Sequence, residues 1–323
     1  MPTEAENTAP AAETKWAANG SPGAGALNDM SDVTVADGSG AALYERICVR
    51  RPYFALQELF EAEPGQVACV VPVEQVSSRE EAPLTVAEAG RHLAILGLCA
   101  AASAAPDSDR RYYLAREARI TWLHTEALQT EERLVAEAEG HFSTTRKASA
   151  RTLLATETGT PVARYDLDYD VLSAAAFRRL FAHAYRPGTS DGLPGVNPYT
   201  KPLPLTEIEG DDQRQSANVV AEVEDCVGHF PDFPTLPVAV LSTAMVDLAC
   251  QLIDRVIGRP GVRWIPGEGK LTAQQLVTAG QPVKLAAVRE ERTGDQLTIL
   301  VTATVDDRSV AELLMRITVA DCQ

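Results

Sequence analysis

The chain has 323 residues, 45% of them hydrophobic, which is enough for two domains that each bury a core. Its formal charge of −16 argues against a phosphate-backbone partner and an anionic membrane surface, so we expect neither nucleic-acid nor membrane binding. No apolar run could span a bilayer, and the N-terminus lacks the pattern of a secretory signal. The six cysteines form no CxxC pair, so we expect reduced thiols and a cytoplasmic location.

Two stretches of low complexity divide the chain. Residues 1–40 are rich in Ala, Gly, Pro and acidic residues, and they predict a disordered tail because they offer little apolar area to bury. Residues 187–215 are dominated by turn and helix-breaking residues and predict an interdomain linker. The remaining segments, 41–186 and 216–323, are the expected domains.

The two expected domains repeat one order of elements. Strand-like runs at 66–75 and 217–225 each lead through a loop into an apolar helix, at 84–102 and 238–257. Further strands are predicted at 112–122, 134–142, 150–158 and 162–169, and at 282–289, 296–304 and 311–319. A duplicated unit of one long helix and several antiparallel strands predicts an α+β fold in which each sheet curves around its helix. The two units would pair their sheets edge to edge as a pseudo-dimer.

The loop before the second helix carries the most specific pattern. It reads Gly-His-Phe-Pro from Gly228 to Pro231, followed by Leu236 and Pro237 and then the helix. This pattern resembles the loop of the FabA/FabZ-type hydroxyacyl-ACP dehydratases, which have the hotdog fold. The resemblance covers most of residues 60–323 and implies a double hotdog.

In that family a loop histidine of one hotdog works with an acidic residue from the helix of the other. The resemblance assigns the histidine to His229, but the acid position fourteen residues later is Thr243, and the next family position is Asp247. In the first unit Glu88 falls where the acid belongs, with His92 one turn later. The resemblance therefore implies a single composite site formed by His229 and Glu88.

The second possible site is expected to be inactive. It would combine Thr243 with the shortened loop 76–82 of the first unit, which contains no histidine. The triplet Gly-His-Phe also occurs around His141, but it falls in a predicted strand, so we expect no catalytic role there.

The resemblance implies dehydration of a 3-hydroxyacyl thioester in fatty-acid or polyketide-type biosynthesis. His229 would remove the C2 proton, and Glu88 would protonate the departing hydroxyl group. The backbone N–H of Val238, at the start of the helix, would stabilise the thioester oxygen. Other residues expected to contact substrate are Gly228, Phe230, Phe233 and Leu236, with His92 and Asp247 as possible supports.

Three alternatives remain open from the sequence. The first is a hotdog thioesterase, which uses a helix carboxylate to activate water. The second is an AfsA-type double-hotdog protein, which transfers a β-ketoacyl group; residues 83–97 and 169–180 are similar to such proteins. A non-enzymatic subunit that binds an acyl carrier or serves as a scaffold is the third. Every alternative implies an acyl group on an acyl carrier protein or on CoA, and none needs a cofactor or a metal. We expect either a monomeric pseudo-dimer or a homodimer of double hotdogs.

Overall fold

The computed structural model describes residues 39–75, 79–123, 133–189 and 197–320, and it has an α+β fold. Its helices are α1 (Ser39–Ile47), α2 (Val86–Ser103), α3 (Ala174–Leu180) and α4 (Val238–Ile257). The strands before α4 are β1 (Gln57–Glu63), β2 (Gln66–Val71), β3 (Arg111–Trp122), β4 (Leu134–Thr144), β5 (Lys147–Thr156), β6 (Pro161–Ser173), β7 (Thr206–Gly210), β8 (Arg214–Val220) and β9 (Thr235–Leu236). Those after it are β10 (Trp264–Ala273), β11 (Val277–Thr278), β12 (Pro282–Thr293), β13 (Gln296–Val305) and β14 (Arg308–Val319).

Twelve of these strands form one antiparallel sheet. The order is β1-β2-β4-β5-β6-β3-β10-β14-β13-β12-β8-β7, while β9 and β11 pair separately. The order is symmetric about its centre, since each strand of the first half has an equivalent in the second half. The chain therefore contains two copies of one six-stranded unit, which confirms the predicted double hotdog.

The two units join where β3 pairs with β10. Their backbones are in antiparallel register over five residue pairs, from Glu268 opposite Thr121 to Thr272 opposite Glu117. This pairing turns two sheets into one continuous sheet and leaves no exposed strand edge between the units. It also brings the two long helices into contact on the inner side.

Helix α2 is buried on almost every side. Sixteen of its 18 residues are buried, and all of these except Glu88, Arg91, His92 and Ser103 are apolar residues or glycine. Two tyrosines of β6 hold it by hydrogen bonds to its backbone: Tyr169 to the carbonyl oxygen of Ala94 at 2.9 Å and Tyr165 to that of Val86 at 3.3 Å. Helix α4 ends at Gly258, whose φ of +79° suits a left-handed cap.

The predicted helices and the strands that follow them are confirmed within one to four residues at most ends. The predicted linker differs, because part of it is sheet: β7 lies at its end and β8 begins in its last two residues. A run of turn residues hides this short edge strand, which carries no alternating apolar pattern. The predicted tail lies outside the described residues, apart from residues 39 and 40, which begin α1.

Within the described ranges, no helix is both long and apolar enough to cross a membrane. Five cysteines lie in those ranges, and all five are buried and free of disulfide bonds. Cys322 lies outside the described residues.

Gly140 is the position where β4 approaches α2 most closely. A Cβ atom at Gly140 would lie 2.2 Å from the backbone carbon of Ala100 and 2.3 Å from the nitrogen of Ala101. We therefore expect Gly140→Ala to lower the free energy of unfolding by about 3 kcal/mol, the upper end for overpacking. Gly90→Ala is the control, because its Cβ atom would meet nothing closer than 3.9 Å. Urea denaturation measures both, and equal stability of the two variants would contradict the prediction.

Candidate functional site

The loop that carries His229 is held in place by Val49 and Arg50, which follow α1. Val49 forms a β-bridge with His229, and the N–H of Arg50 donates to the carbonyl oxygen of Gly228 at 2.7 Å. Gly228 has a φ of +83°, and a Cβ atom there would lie 2.5 Å from the carbonyl oxygen of Arg50. Glycine is therefore required at this position for the loop to dock.

His229 is held in one orientation and is uncharged. Its Nδ1 lies 3.0 Å from the carbonyl oxygen of Thr235, which can only accept, so Nδ1 carries the proton. Burial lowers the pKa of His229 to about 4, against the opposing effect of this hydrogen bond. The imidazole is therefore neutral at pH 7, and Nε2 has a free lone pair that can accept a proton.

His229 lines a cavity of about 570 Å³ between the two units. Helix α2 contributes Ala94, Ile95 and Leu98, while Val238 and Ala239 come from the start of α4. Strands β3 and β6 and the segment around β11 complete the wall, which is mostly apolar. A cavity of this size and character suits an extended apolar ligand.

The rim of this cavity is basic, although the chain is strongly acidic. Arg116, Arg146 and Lys147 lie there, and the Arg116 and Lys147 side chains are 38% and 65% exposed. Asp170, the one carboxylate among the described lining residues, pairs with Lys147 at 2.5 Å and with Arg116 at 3.3 Å. The rim therefore carries a net positive charge.

A narrower apolar space continues from the main cavity. It has a volume of about 40 Å³ and shares Ala94, Val238 and Ala239 with the larger space. It extends between α2 and α4 to Gly90 and Ser242. Because the Ser242 hydroxyl group donates to the carbonyl oxygen of Ala239, even this polar residue presents little polarity to the space.

The predicted contact residues divide into two groups. Phe230, Leu236 and Val238 line the cavity beside His229, and the Phe230 ring stacks on the imidazole at 3.9 Å. Phe233 instead packs against the rings of Phe177 and Tyr185. Gly228 allows the backbone conformation in which the loop docks. Helix α4 also begins at Val238, so its positive end lies at the cavity wall.

Glu88 is not among the residues that line the cavity. It is buried, and its carboxylate accepts hydrogen bonds from the backbone N–H groups of Glu74 at 2.5 Å and Gln75 at 3.2 Å. The loop between β2 and α2 is thereby attached to the first turn of α2. The structure thus shows a structural role for Glu88, while its pairing with His229 stays a prediction.

Three side chains around Glu88 could in principle hold a metal ion. Ligand atoms of Glu74, Glu88 and His92 lie within 4.8 Å of one another. The Arg91 guanidinium, however, already donates to Glu74 and supplies the positive charge. Burial lowers the pKa of His92, and the hydrogen bond with Glu88 opposes this shift. We interpret the group as a buried polar network that orders the loop.

The loop pattern aligned Glu88 with Thr243, and the starts of the two helices give a second way to compare them. Glu88 is the third residue of α2, whereas Thr243 is the sixth residue of α4. Counted from the helix starts, the equivalent of Thr243 is Arg91, and the equivalent of Asp247 is Ile95. Arg91 is 3% exposed, and two of its guanidinium nitrogens have no hydrogen-bond partner.

In the other half of the molecule, the place that corresponds to the His229 loop and its cavity is filled by the short loop before α2. The Arg79 side chain, from the short loop before α2, contacts Asp254 of α4 at 2.9 Å. The backbone on both sides of Glu80 is hydrogen-bonded to Trp264, and burial raises the pKa of Glu80 to about 8. The Thr243 hydroxyl group donates to its own helix. Residues 76–78 of the predicted loop lie outside the described residues.

Two components of the site were not found from the sequence. Tyr53 lines the cavity with its ring 5.1 Å from that of His229, and the basic rim comes from three residues of β3 and the β4–β5 turn region. Tyr53 lies in a segment without a recognisable motif. The rim residues are separated by about 30 positions, and only the sheet register brings them together.

No family model and no curated protein sequence matches this chain. Solved structures do match it. The tesB protein of Mycobacterium avium subspecies paratuberculosis is 11% identical with a TM-score of 0.53, over 81% of this chain and 95% of that protein. The 12:0-ACP thioesterase of Umbellularia californica is 9% identical with a TM-score of 0.52, over 79% and 93%. The chain is therefore similar in fold to double-hotdog thioesterases.

Proposed function

We propose that the protein hydrolyses the thioester of an acyl group carried on CoA or an acyl carrier protein. The observation that carries the proposal is the neutral His229, whose free Nε2 serves a large apolar cavity with a basic rim. An acyl chain fits the apolar wall, and the phosphate groups of CoA or of a pantetheine arm fit the rim. One of the solved structures described above is of a 12:0-ACP thioesterase, which agrees with this choice.

In the proposed reaction His229 acts as a general base. Its Nε2 accepts a proton from water as the water oxygen bonds to the thioester carbon, and the carbonyl electron pair moves to oxygen. The positive end of α4 at Val238 stabilises that oxygen. The C–S bond then breaks, and the departing sulfur receives the proton that His229 accepted.

Hydrolysis is favoured over dehydration because dehydration also needs an acid beside the substrate. The described carboxylates that line the cavity and its narrow continuation are Asp170 and Glu117. Asp170 is paired with Arg116 and Lys147, and Glu117 is paired with Arg119 and Lys270. The Gly-His-Phe-Pro loop still supports dehydration as a second candidate, with Glu88 as the acid. Among the described residues, we find no contact that gives comparable support to AfsA-like acyl transfer or to simple binding of an acyl carrier.

The first prediction concerns His229. Replacement by alanine removes the base, so we expect kcat/KM for acyl-CoA hydrolysis to fall by a factor of about 10²–10⁴. In the native enzyme the acid limb of the kcat/KM profile should have its midpoint near pH 4, because activity is lost as His229 becomes protonated. His141→Ala, in the other Gly-His-Phe triplet, is the control: His141 is exposed in β4. A midpoint near 6.5 would contradict the deep burial of the base.

The second prediction concerns acyl length. Gly90→Leu places a side chain in the narrow space between α2 and α4, so longer acyl chains lose their terminal contacts. Each methylene excluded costs about 0.8 kcal/mol, which is about fourfold in kcat/KM. A series of saturated acyl-CoA substrates measures the shift toward shorter chains. An unchanged chain-length profile in a folded variant would show that the acyl group lies elsewhere.

The third prediction separates the two roles of Glu88. Glu88→Gln keeps the size but weakens acceptance from the Glu74 and Gln75 N–H groups, so we expect about 1–3 kcal/mol of lost stability. Hydrolysis by the folded variant should persist. Assays with 3-hydroxyacyl-CoA substrates test the other role by mass spectrometry. Loss of water by the wild type, abolished in this variant with stability unchanged, would instead establish Glu88 as the acid of a dehydratase.

A further inference from the structure

We propose that the Tyr53 hydroxyl group is a second catalytic group of the site, donating a hydrogen bond to the thioester carbonyl oxygen as negative charge develops there. The proposal rests on the thioester chemistry proposed above, and it adds a second functional residue beside His229. The structure places Tyr53 on the wall of the same cavity. Its ring meets the His229 ring edge-on, with 5.1 Å between the centroids.

A second ring contact also holds Tyr53 in place. Its ring meets the ring of Tyr199 edge-on with 5.2 Å between the centroids, and Tyr199 itself donates to the carbonyl oxygen of Val227 at 2.6 Å. The β-bridge of Val49 with His229 attaches the same segment to the histidine loop. Base and donor therefore belong to segments about 175 residues apart that are fixed to each other, as a preorganised site requires.

Three other hydroxyl groups near the acyl space are already used, and Tyr113, which also lines the cavity, has its ring against Tyr169 rather than His229. Tyr169 donates to the carbonyl oxygen of Ala94, and Ser242 and Thr243 donate to carbonyl oxygens within α4. Of the described lining residues, Tyr53 is the hydroxyl-bearing one whose ring contacts His229. Burial raises the pKa of Tyr53 far above its usual range, so the phenol stays protonated and available as a donor.

The step that this assigns to Tyr53 involves no proton transfer. While water adds to the carbonyl carbon and His229 accepts the water proton, the carbonyl electron pair moves to oxygen. The Tyr53 hydroxyl group stabilises that oxyanion together with the N-terminus of α4 at Val238. When the oxyanion re-forms the carbonyl group and the thiolate departs, the hydrogen bond weakens again, and Tyr53 keeps its proton throughout.

The test compares Tyr53→Phe with wild type in acyl-CoA hydrolysis. The variant keeps the ring contacts and loses only the hydroxyl group, so we expect kcat to fall about 10²-fold with KM nearly constant. Tyr44→Phe is the matched control, since Tyr44 packs on Phe54 and does not line the cavity. Thermal denaturation verifies that both variants fold. Wild-type kcat in folded Tyr53→Phe would overturn the assignment and leave thioester hydrolysis by His229 in place.

A binding measurement keeps the proposal testable apart from turnover. Calorimetry compares an acyl-CoA ketone analogue, in which a methylene group separates sulfur from the carbonyl, with an alkyl thioether of CoA that has no carbonyl. Tyr53→Phe should weaken the ketone analogue about fivefold, the value of one hydrogen bond, and leave the thioether unchanged. If wild type hydrolyses no thioester, the proposed function fails, and Tyr53 is then judged by this comparison alone. Equal losses for both ligands, or no loss, would overturn it.

Discussion

The backbone pairing of β3 with β10 is the constraint on which the rest of the molecule depends. It joins two half-sheets into one sheet and sets two apolar helices beside each other on the inner side. The cavity exists because α2 and the start of α4 then face a common space. Neither unit could form this site alone, since the histidine loop belongs to one unit and much of the apolar wall to the other.

The two halves have the same topology but different loops, and the loops decide where a site can form. Before α4 the loop is long, contains Gly228 in a left-handed conformation, and presents His229 to a cavity. Before α2 the loop is short, and it packs on the other unit through the salt bridge of Arg79 with Asp254 and backbone hydrogen bonds to Trp264. Loop length therefore distinguishes the two halves of a symmetric sheet, because the long loop is the one that brings a histidine to the cavity.

The fold was predictable because it follows from hydrophobic periodicity. Two apolar helices and the alternating strands after them leave little choice of architecture, and the duplicated order of elements identified the pseudo-dimer. The strand β7 was missed because an exposed edge strand has no apolar face to mark it. His229 was predictable because the glycine and prolines around it form a loop that is unusual before a buried helix.

The contact of Tyr53 with His229 could not be predicted, because it depends on a three-dimensional placement that the sequence does not state. The loop pattern aligned Glu88 with Thr243, whereas counting from the helix starts places Arg91 at the position of Thr243. Arg91 is buried beside Glu74, to which it donates, and it is not among the residues that line the cavity. A side chain that donates a hydrogen bond into this end of the cavity must then come from another element. The segment from Val49 to Tyr53 is the element that the structure attaches to the histidine loop, which is why a tyrosine without any motif becomes the neighbour of the base.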